Sequence, residues 1–208
     1  MIQALAGVIL VLLSCNQVLA SQDLDSLFDA PCERYGVPKA LALAIASHES
    51  GMRPWAMNIE GRSVLHASKD EALAISQACL SRGLSFDIGV MQVNSQWLRR
   101  YKLPLDLVFD PRGNIQMGVW ILAQCIKRHG LTWQAVAAYH TPVERNPDRG
   151  RAYAAAVLDR MRRMNASAPT SAPSPVVEQN RPAHQAAKTA PLLVKRFREV
   201  ASNERIVR

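Results

Sequence analysis

The sequence predicts a mainly α-helical domain that carries one small β element. Three observations lead there. Between residues 21 and 164, apolar side chains recur at helical spacing in six stretches, several of them bounded by capping residues. One stretch, Trp55 to Leu65, loses that period. The 208 residues are 49% hydrophobic and 20% charged, the make-up of one ordinary globular domain with tails. Wholesale disorder is excluded on that composition.

The elements follow in order. Asp23 to Tyr35 is predicted as a helix closed by Gly36, a residue suited to the left-handed cap. Pro38 suits a first helical position, and Leu41, Ala42, Ile45 and Ala46 supply the buried stripe of the next helix, which ends around Ser50-Gly51. Asn58 to Gly61 is a turn signal for a β-hairpin. Ser68 to Ser81 is a third helix, with Ser68 as N-cap and Glu71 completing a capping box. Asn114 to His129 is a fourth, stopped by Gly130; Trp133 to Tyr139 is a fifth, and Arg151 to Met164 a sixth.

Both ends of the chain read differently from this domain. Residues 1–20 resemble a secretory signal peptide: the apolar stretch Ile2 to Leu13 leads to Val18-Leu-Ala20, with small residues at −3 and −1. No Lys or Arg precedes the apolar stretch. An uncleaved anchor is the alternative, but the run is short for a bilayer span. Leu12-Leu-Ser-Cys15 loosely resembles a lipoprotein box. A periplasmic location is expected, with no stable membrane span after cleavage. Only this one long apolar run exists, so a polytopic membrane protein is excluded. Residues 165–208 open on a Pro-, Ala- and Ser-rich linker and contain five Pro, no Gly and one aromatic, Phe197. Such a tail buries too little apolar surface to fold alone. Leu192 to Val200 could form a short basic amphipathic helix that touches a partner, or remain solvated.

Export permits disulfides. Cys32, Cys79 and Cys125 lie in the predicted mature chain, so at most one intramolecular bridge forms among them, and sequence does not choose it. No Cys/His cluster points to a metal, and no cofactor is expected. The net charge of +8 calls for an acidic partner. Residues 21–164 hold 18 Lys and Arg against 14 Asp and Glu, whereas the tail holds 7 against 3. The domain is thus mildly basic, and the denser charge sits on the tail. No nucleic-acid motif accompanies it.

Chemistry concentrates in three places. Glu49 ends the otherwise uncharged helix Leu41-Ala-Leu-Ala-Ile-Ala-Ser47. Desolvation there and the helix C-terminal dipole both disfavour its charged form, which suits a general acid. Asp87-Ile-Gly-Val-Met-Gln-Val-Asn94 places two amides, Gln92 and Asn94, in an apolar run, where they are structural or ligand-facing. Ala137-Ala-Tyr139-His140-Thr141 ends a helix in polar and aromatic groups.

Taken in order, Glu49-Ser50-Gly51, Asp87 to Asn94, Asp110-Pro111 with Asn114, and Ala138-Tyr139 resemble the SLT-type lytic transglycosylases, over roughly residues 30–160. The nearest likeness is the small secreted branch that accompanies conjugation, pilus and type III/IV secretion machines. The resemblance implies a lysozyme-like α+β fold, mainly helical with a small β element, and peptidoglycan glycan strands as substrate. It implies that Glu49 protonates the bond between N-acetylmuramic acid and N-acetylglucosamine and then acts as base for intramolecular attack, giving a 1,6-anhydro product. It further implies that Ser50 and Gln92 help place the sugar and the acid, Met91 lines the cleft, Asn94 holds its wall and Tyr139 orients substrate or Glu49.

Departures matter. Where the family commonly has Asn-x-Gly after this Tyr, the chain has His140-Thr-Pro142, as in a sub-branch; His140 is then a substrate ligand or a helix-ending structural residue. Trp55 is a sugar-stacking candidate or a core residue. Arg112 stands where several relatives have a Cys, so their disulfide does not carry over.

Rival readings remain at this level. A hydrolytic muramidase needs a second carboxylate facing Glu49, from Glu60 or Asp87. A metalloprotease, prompted by His48-Glu49, needs His at position 52, which is Met. A non-catalytic component of a secretion, conjugation or pilus apparatus is the non-enzyme alternative, and the basic tail is the segment that would contact such an apparatus.

Overall fold

A computed structural model describes residues 24–142 and 144–167. The predicted signal segment, and the tail beyond residue 167 with its candidate helix, lie outside the described residues. The elements are α1 (Asp29–Tyr35), α2 (Lys39–Glu49), β1 (Ala56–Ile59), β2 (Arg62–Leu65), α3 (Lys69–Ser81), β3 (Phe86–Ile88), β4 (Val93–Asn94), α4 (Ser95–Tyr101), α5 (Leu105–Phe109), α6 (Pro111–His129), α7 (Trp133–His140) and α8 (Pro147–Ser167). The fold is the mainly helical α+β arrangement that the sequence predicts. Among the described residues, no helix is long and apolar enough to cross a membrane.

Most helix ends obey their local signals. Gly36 takes φ 64° after α1, and Gly51 takes φ 63° just past Ser50, the C-cap of α2. Pro38 stands one residue outside α2, and its carbonyl accepts the first helical bonds from Leu41 and Ala42. Ser68 Oγ accepts from the Glu71 amide, while the Glu71 carboxylate accepts from the Ala67 amide, so the capping box closes one residue early. The predicted first helix is shorter than expected, because a turn at residues 27–28 separates α1 from a single helical turn at 24–26. Two helices are longer. Asp110 accepts from the Gly113 amide and starts α6 at Pro111, and α8 runs from Pro147 to Ser167, past the residue-164 boundary.

The hairpin turns where expected, through Glu60 (φ 48°) and Gly61 (φ 85°), with Asn58 Oδ1 accepting from the Gly61 amide at 2.9 Å. It forms half of the β element only. A second hairpin, β3–β4, extends the sheet to four antiparallel strands in the order β2-β1-β3-β4. Asn58 faces Asp87 and Asp87 faces Asn94, so these three polar residues form one row across the sheet.

α6 organises the interior. From Gly113 to Ala123 every residue but Gln116 is buried, the mark of a helix wrapped on all sides. α1, α5 and α7 pack on it, α8 packs on α7 and α2, and the β3–β4 turn lies across its first half. Gly118 permits that contact, since a Cβ there would stand 2.4 Å from Met91 Cβ.

Candidate active site

Glu49 is the last residue of α2, beside the β3–β4 turn. Ser50 makes the junction: its hydroxyl donates to the Val90 carbonyl at 2.8 Å and accepts from the Arg53 amide at 3.1 Å. Asn114 pins the same turn from below. Its Oδ1 accepts from the Met91 amide at 2.7 Å, and its Nδ2 donates to the carbonyls of Ile88 and Val108, each at 2.9 Å. Gly89, at φ 79°, leaves room for this amide, because a Cβ there would sit 2.2 Å from Asn114 Nδ2. Gln92, also left-handed at φ 46°, donates both amide hydrogens to the wall, to the Ala56 carbonyl at 3.0 Å and the Gly89 carbonyl at 2.9 Å. Asn94 caps α4 through Oδ1 and donates to Asp87 Oδ1 at 2.7 Å.

The acid is held from α8. Tyr153 donates its hydroxyl to Glu49 Oε1 at 2.5 Å across 104 residues of sequence. Burial pushes the Glu49 carboxyl up to about 7; the Tyr153 hydroxyl pulls it down, and the Asp87 charge adds a smaller upward push. Tyr139 donates to the Met91 carbonyl at 2.8 Å. Burial, and then the charge of Glu49, hold both phenols well above their usual range, so each remains a protonated donor. Asp87 is raised by burial and lowered by its bond from Asn94. Glu60 spends its carboxylate on the Ser85 amide, at 2.6 Å, within the hairpin turn.

Around Tyr153 stand two imidazoles. His140 stacks on its ring with centroids 4.6 Å apart and planes 4° apart, and His48 meets it edge-on at 5.1 Å. A groove of about 240 Å³ borders Tyr139 and His140 and is lined also by Gln96, Trp97, Cys125 and Arg128. Glu49 is not among the residues that line this groove.

The fold therefore draws Glu49, Ser50, Met91, Gln92, Asn94, Tyr139 and His140 into one region. Two expectations change. Met91 is fully buried against Gly118, so its side chain packs in the core, and only its backbone serves the site, through the carbonyl that receives Tyr139. Ser50 is 3% exposed with its hydroxyl bonded to Val90 and Arg53, so that hydroxyl is committed within the protein and is not presented to a sugar. Trp55 is half-buried against the core, one residue before the carbonyl that anchors Gln92. Cys32, Cys79 and Cys125 are unbridged.

Sequence reasoning missed Tyr153 as a site residue and assigned Asn114 no contact. One large aromatic in Arg151-Ala-Tyr153-Ala-Ala-Ala156 marks a helix face turned inward, but nothing local says that this face meets Glu49. The pairing of Asn114 with the β3–β4 turn was equally out of reach, because it depends on where α6 crosses the sheet.

A stretch of 99 residues, 47% of the chain, is 34% identical to "Type IV secretion system protein virB1" of Brucella abortus, and covers 41% of that protein. "X polypeptide" of Escherichia coli is 43% identical over 76 residues, 33% of the chain and 45% of that protein. "Invasion protein IagB" of Salmonella typhi is 30% identical over 110 residues, 51% of the chain and 56% of that protein. The chain thus spans about half the length of the curated relatives it matches. The family model described as "Transglycosylase SLT domain" matches residues 26–156, which takes in Glu49, the β3–β4 turn, Tyr139 and Tyr153. The chain belongs to the transglycosylase SLT domain family.

Proposed function

We propose that the chain is a peptidoglycan lytic transglycosylase. The observation that carries this reading is the Glu49 carboxyl, raised to about 7 at a helix end and addressed by a protonated tyrosine hydroxyl. A carboxyl so poised holds a proton near neutrality and releases it to a leaving group. Glu49 gives its proton to the glycosidic oxygen as the bond to C1 of the N-acetylmuramic residue breaks. The 6-hydroxyl of that residue then bonds to C1 and returns its proton to Glu49. No water is consumed, and the product is the 1,6-anhydro sugar. One carboxyl suffices for this cycle, since the attacking oxygen belongs to the substrate.

The neighbours take supporting roles. Ser50 and Tyr153 fix the carboxyl, while Tyr139 and Asn94 hold the wall. Gln92 has committed both amide hydrogens to backbone carbonyls, so its side-chain oxygen is the part left for the sugar. Trp55 stands at the margin as a candidate sugar contact.

Hydrolysis by a muramidase is favoured by one observation, the Asp87 charge felt at Glu49. Product masses decide between the two. Digestion of isolated peptidoglycan should give muropeptides lighter by one water than their hydrolysed counterparts, and Glu49→Gln should give none. Reducing-end products alone would establish hydrolysis. No release of muropeptides by either protein would point to a non-catalytic component.

Periplasmic placement is supported by the signal-like segment at residues 1–20 and by the family. The printed names of the relatives include a type IV secretion system protein and an invasion protein. They support a role in opening the wall for a secretion, conjugation or pilus apparatus, with the basic tail as the docking segment.

A further inference from the structure

His140 occupies the position at which this chain leaves the commoner family pattern, and the geometry around it is specific. One face of its ring lies parallel to Tyr153 at 4.6 Å. Its Nε2 accepts from Arg149 Nε at 3.1 Å. A guanidinium only donates, so this nitrogen carries no proton and the imidazole is neutral. Tyr153, 6% exposed, points its hydroxyl at Glu49 Oε1. His48 meets the Tyr153 ring edge-on, with planes at 82°. The helices that carry these rings are pressed together at a small pair, since a Cβ at Gly150 would stand 3.1 Å from Ala137 Cβ. A continuous path therefore runs from Arg149 through His140 and Tyr153 to the acid.

We propose that His140, held by Arg149, is a positioning residue that acts through Tyr153 to keep the Glu49 carboxyl in register, and is not a glycan ligand. The proposal rests on the reading of Glu49 as acid and base. Without the His140 ring, Tyr153 loses one of the two walls that fix its plane, and the bond to Glu49 loosens.

The charged and titratable groups around the path are few. His140 faces Arg149 from α8 and His48 from α2; burial first, and then these two, hold it below the usual imidazole range. His48 is lowered by burial and by Arg160. Glu49 faces Tyr153 from α8 and Asp87 from β3. At neutral pH the path is therefore intact. Protonation of His140 removes the acceptor for Arg149 and sets two cations together, which opens the clamp on the acidic side.

The test is a set of pH profiles of kcat and KM on isolated peptidoglycan, using the full chain. Tyr153→Phe is the reference: losing the hydroxyl that pulls Glu49 down moves the basic limb to higher pH. His140→Ala should lower kcat about fivefold with KM nearly unchanged, and should move the basic limb in the same direction. In the Tyr153→Phe background it should do nothing more, because contacting residues on one path are not additive. His140→Phe, which keeps the stack, should recover most of kcat. Arg149→Gln should lower kcat and flatten the acidic limb, because protonation of His140 then breaks no bond to Arg149 and meets no second cation. A rise in KM with kcat and limbs unmoved would overturn the proposal. So would a full effect persisting in the Tyr153→Phe background, or profiles unmoved by His140→Ala and Arg149→Gln while thermal stability falls. Should His140→Ala fail to fold, His140→Phe and Arg149→Gln carry the test. Failure of the parent reading looks different: the wild type then yields no anhydro products, or Glu49→Gln still cleaves.

Discussion

The two sides of Glu49 are built on opposite plans. On one side the β3–β4 turn is locked into the core. Met91 is fully buried, Asn114 satisfies three backbone groups, and Gly89 and Gly118 bring chain against chain. On the other side α8 offers Tyr153, flanked by two imidazoles, with the exposed His140 ring and Arg149 at its rim. The first side is dense packing with the turn's buried backbone groups paired to Asn114 and Ser50, where a change costs folding. The second is a short path of rings and hydrogen bonds beside solvent, where a change costs chemistry. Position along the chain does not separate the two plans; packing does.

The largest effect should fall on the acid that both sides share. Glu49→Gln should lower glycan cleavage about 10³-fold, in the range of a lost general acid, as read from the release of anhydro-muropeptides. The same variant should be more stable than the wild type at high pH. The folded carboxyl has its pKa raised from 4.5 to about 7, so folding favours its protonated form. The stability this confers is full below 4.5 and is lost as pH rises through about 7. After allowance for partial exposure, Glu49→Gln should gain about 2 kcal/mol over the wild type at pH 8 and nothing at pH 4, by urea denaturation at the two pH values. Equal gains at both would show that desolvation is not what raises the acid.

Next comes the packed side. Asn114→Ala strands the Met91 amide and the carbonyls of Ile88 and Val108, and should cost about 3 kcal/mol of stability. Gly118→Ala drives a methyl into Met91 and should cost about 2 kcal/mol. Thermal unfolding reads both. A cleavage rate per folded molecule that stays near wild type would sharpen the contrast between the sides; a dead but stable Asn114→Ala would break it.

The smallest effect belongs to the aromatic side. Tyr153→Phe should lower kcat about tenfold and move the basic limb upward, with a melting temperature close to wild type. A large loss of stability instead would mean that α8 is held by this one bond and that the two sides share a single plan.

Much of this was legible beforehand. The caps at Gly36, Gly51 and Ser68 and the hairpin turn at Gly61 are local signals, and local signals survive folding. Glu49 was picked out as a candidate by the ordered set of motifs around it, since a carboxylate at a helix end, taken alone, reads as an exposed residue. The short elements were not. α4 and α5 have seven and five residues, and β3 and β4 three and two, too few to display a period. Met91 was placed at the cleft by the resemblance alone, and the run Ile88 to Val93 does not itself reveal which of its apolar residues the turn directs inward.

The sequence alone determined the helical class and most helix ends, because each depends on residues within a turn or two of one another, and it singled out Glu49 and its neighbouring segments as the candidate site. Only the tertiary structure decided what holds the acid. Tyr153 lies 104 residues from Glu49, and His140 and Arg149 reach that tyrosine from two different helices. No spacing rule spans such a distance. The meeting is set by α7 and α8 packing at Gly150 and Ala137 and by α8 lying against α2, and those contacts exist only once the core around α6 has formed.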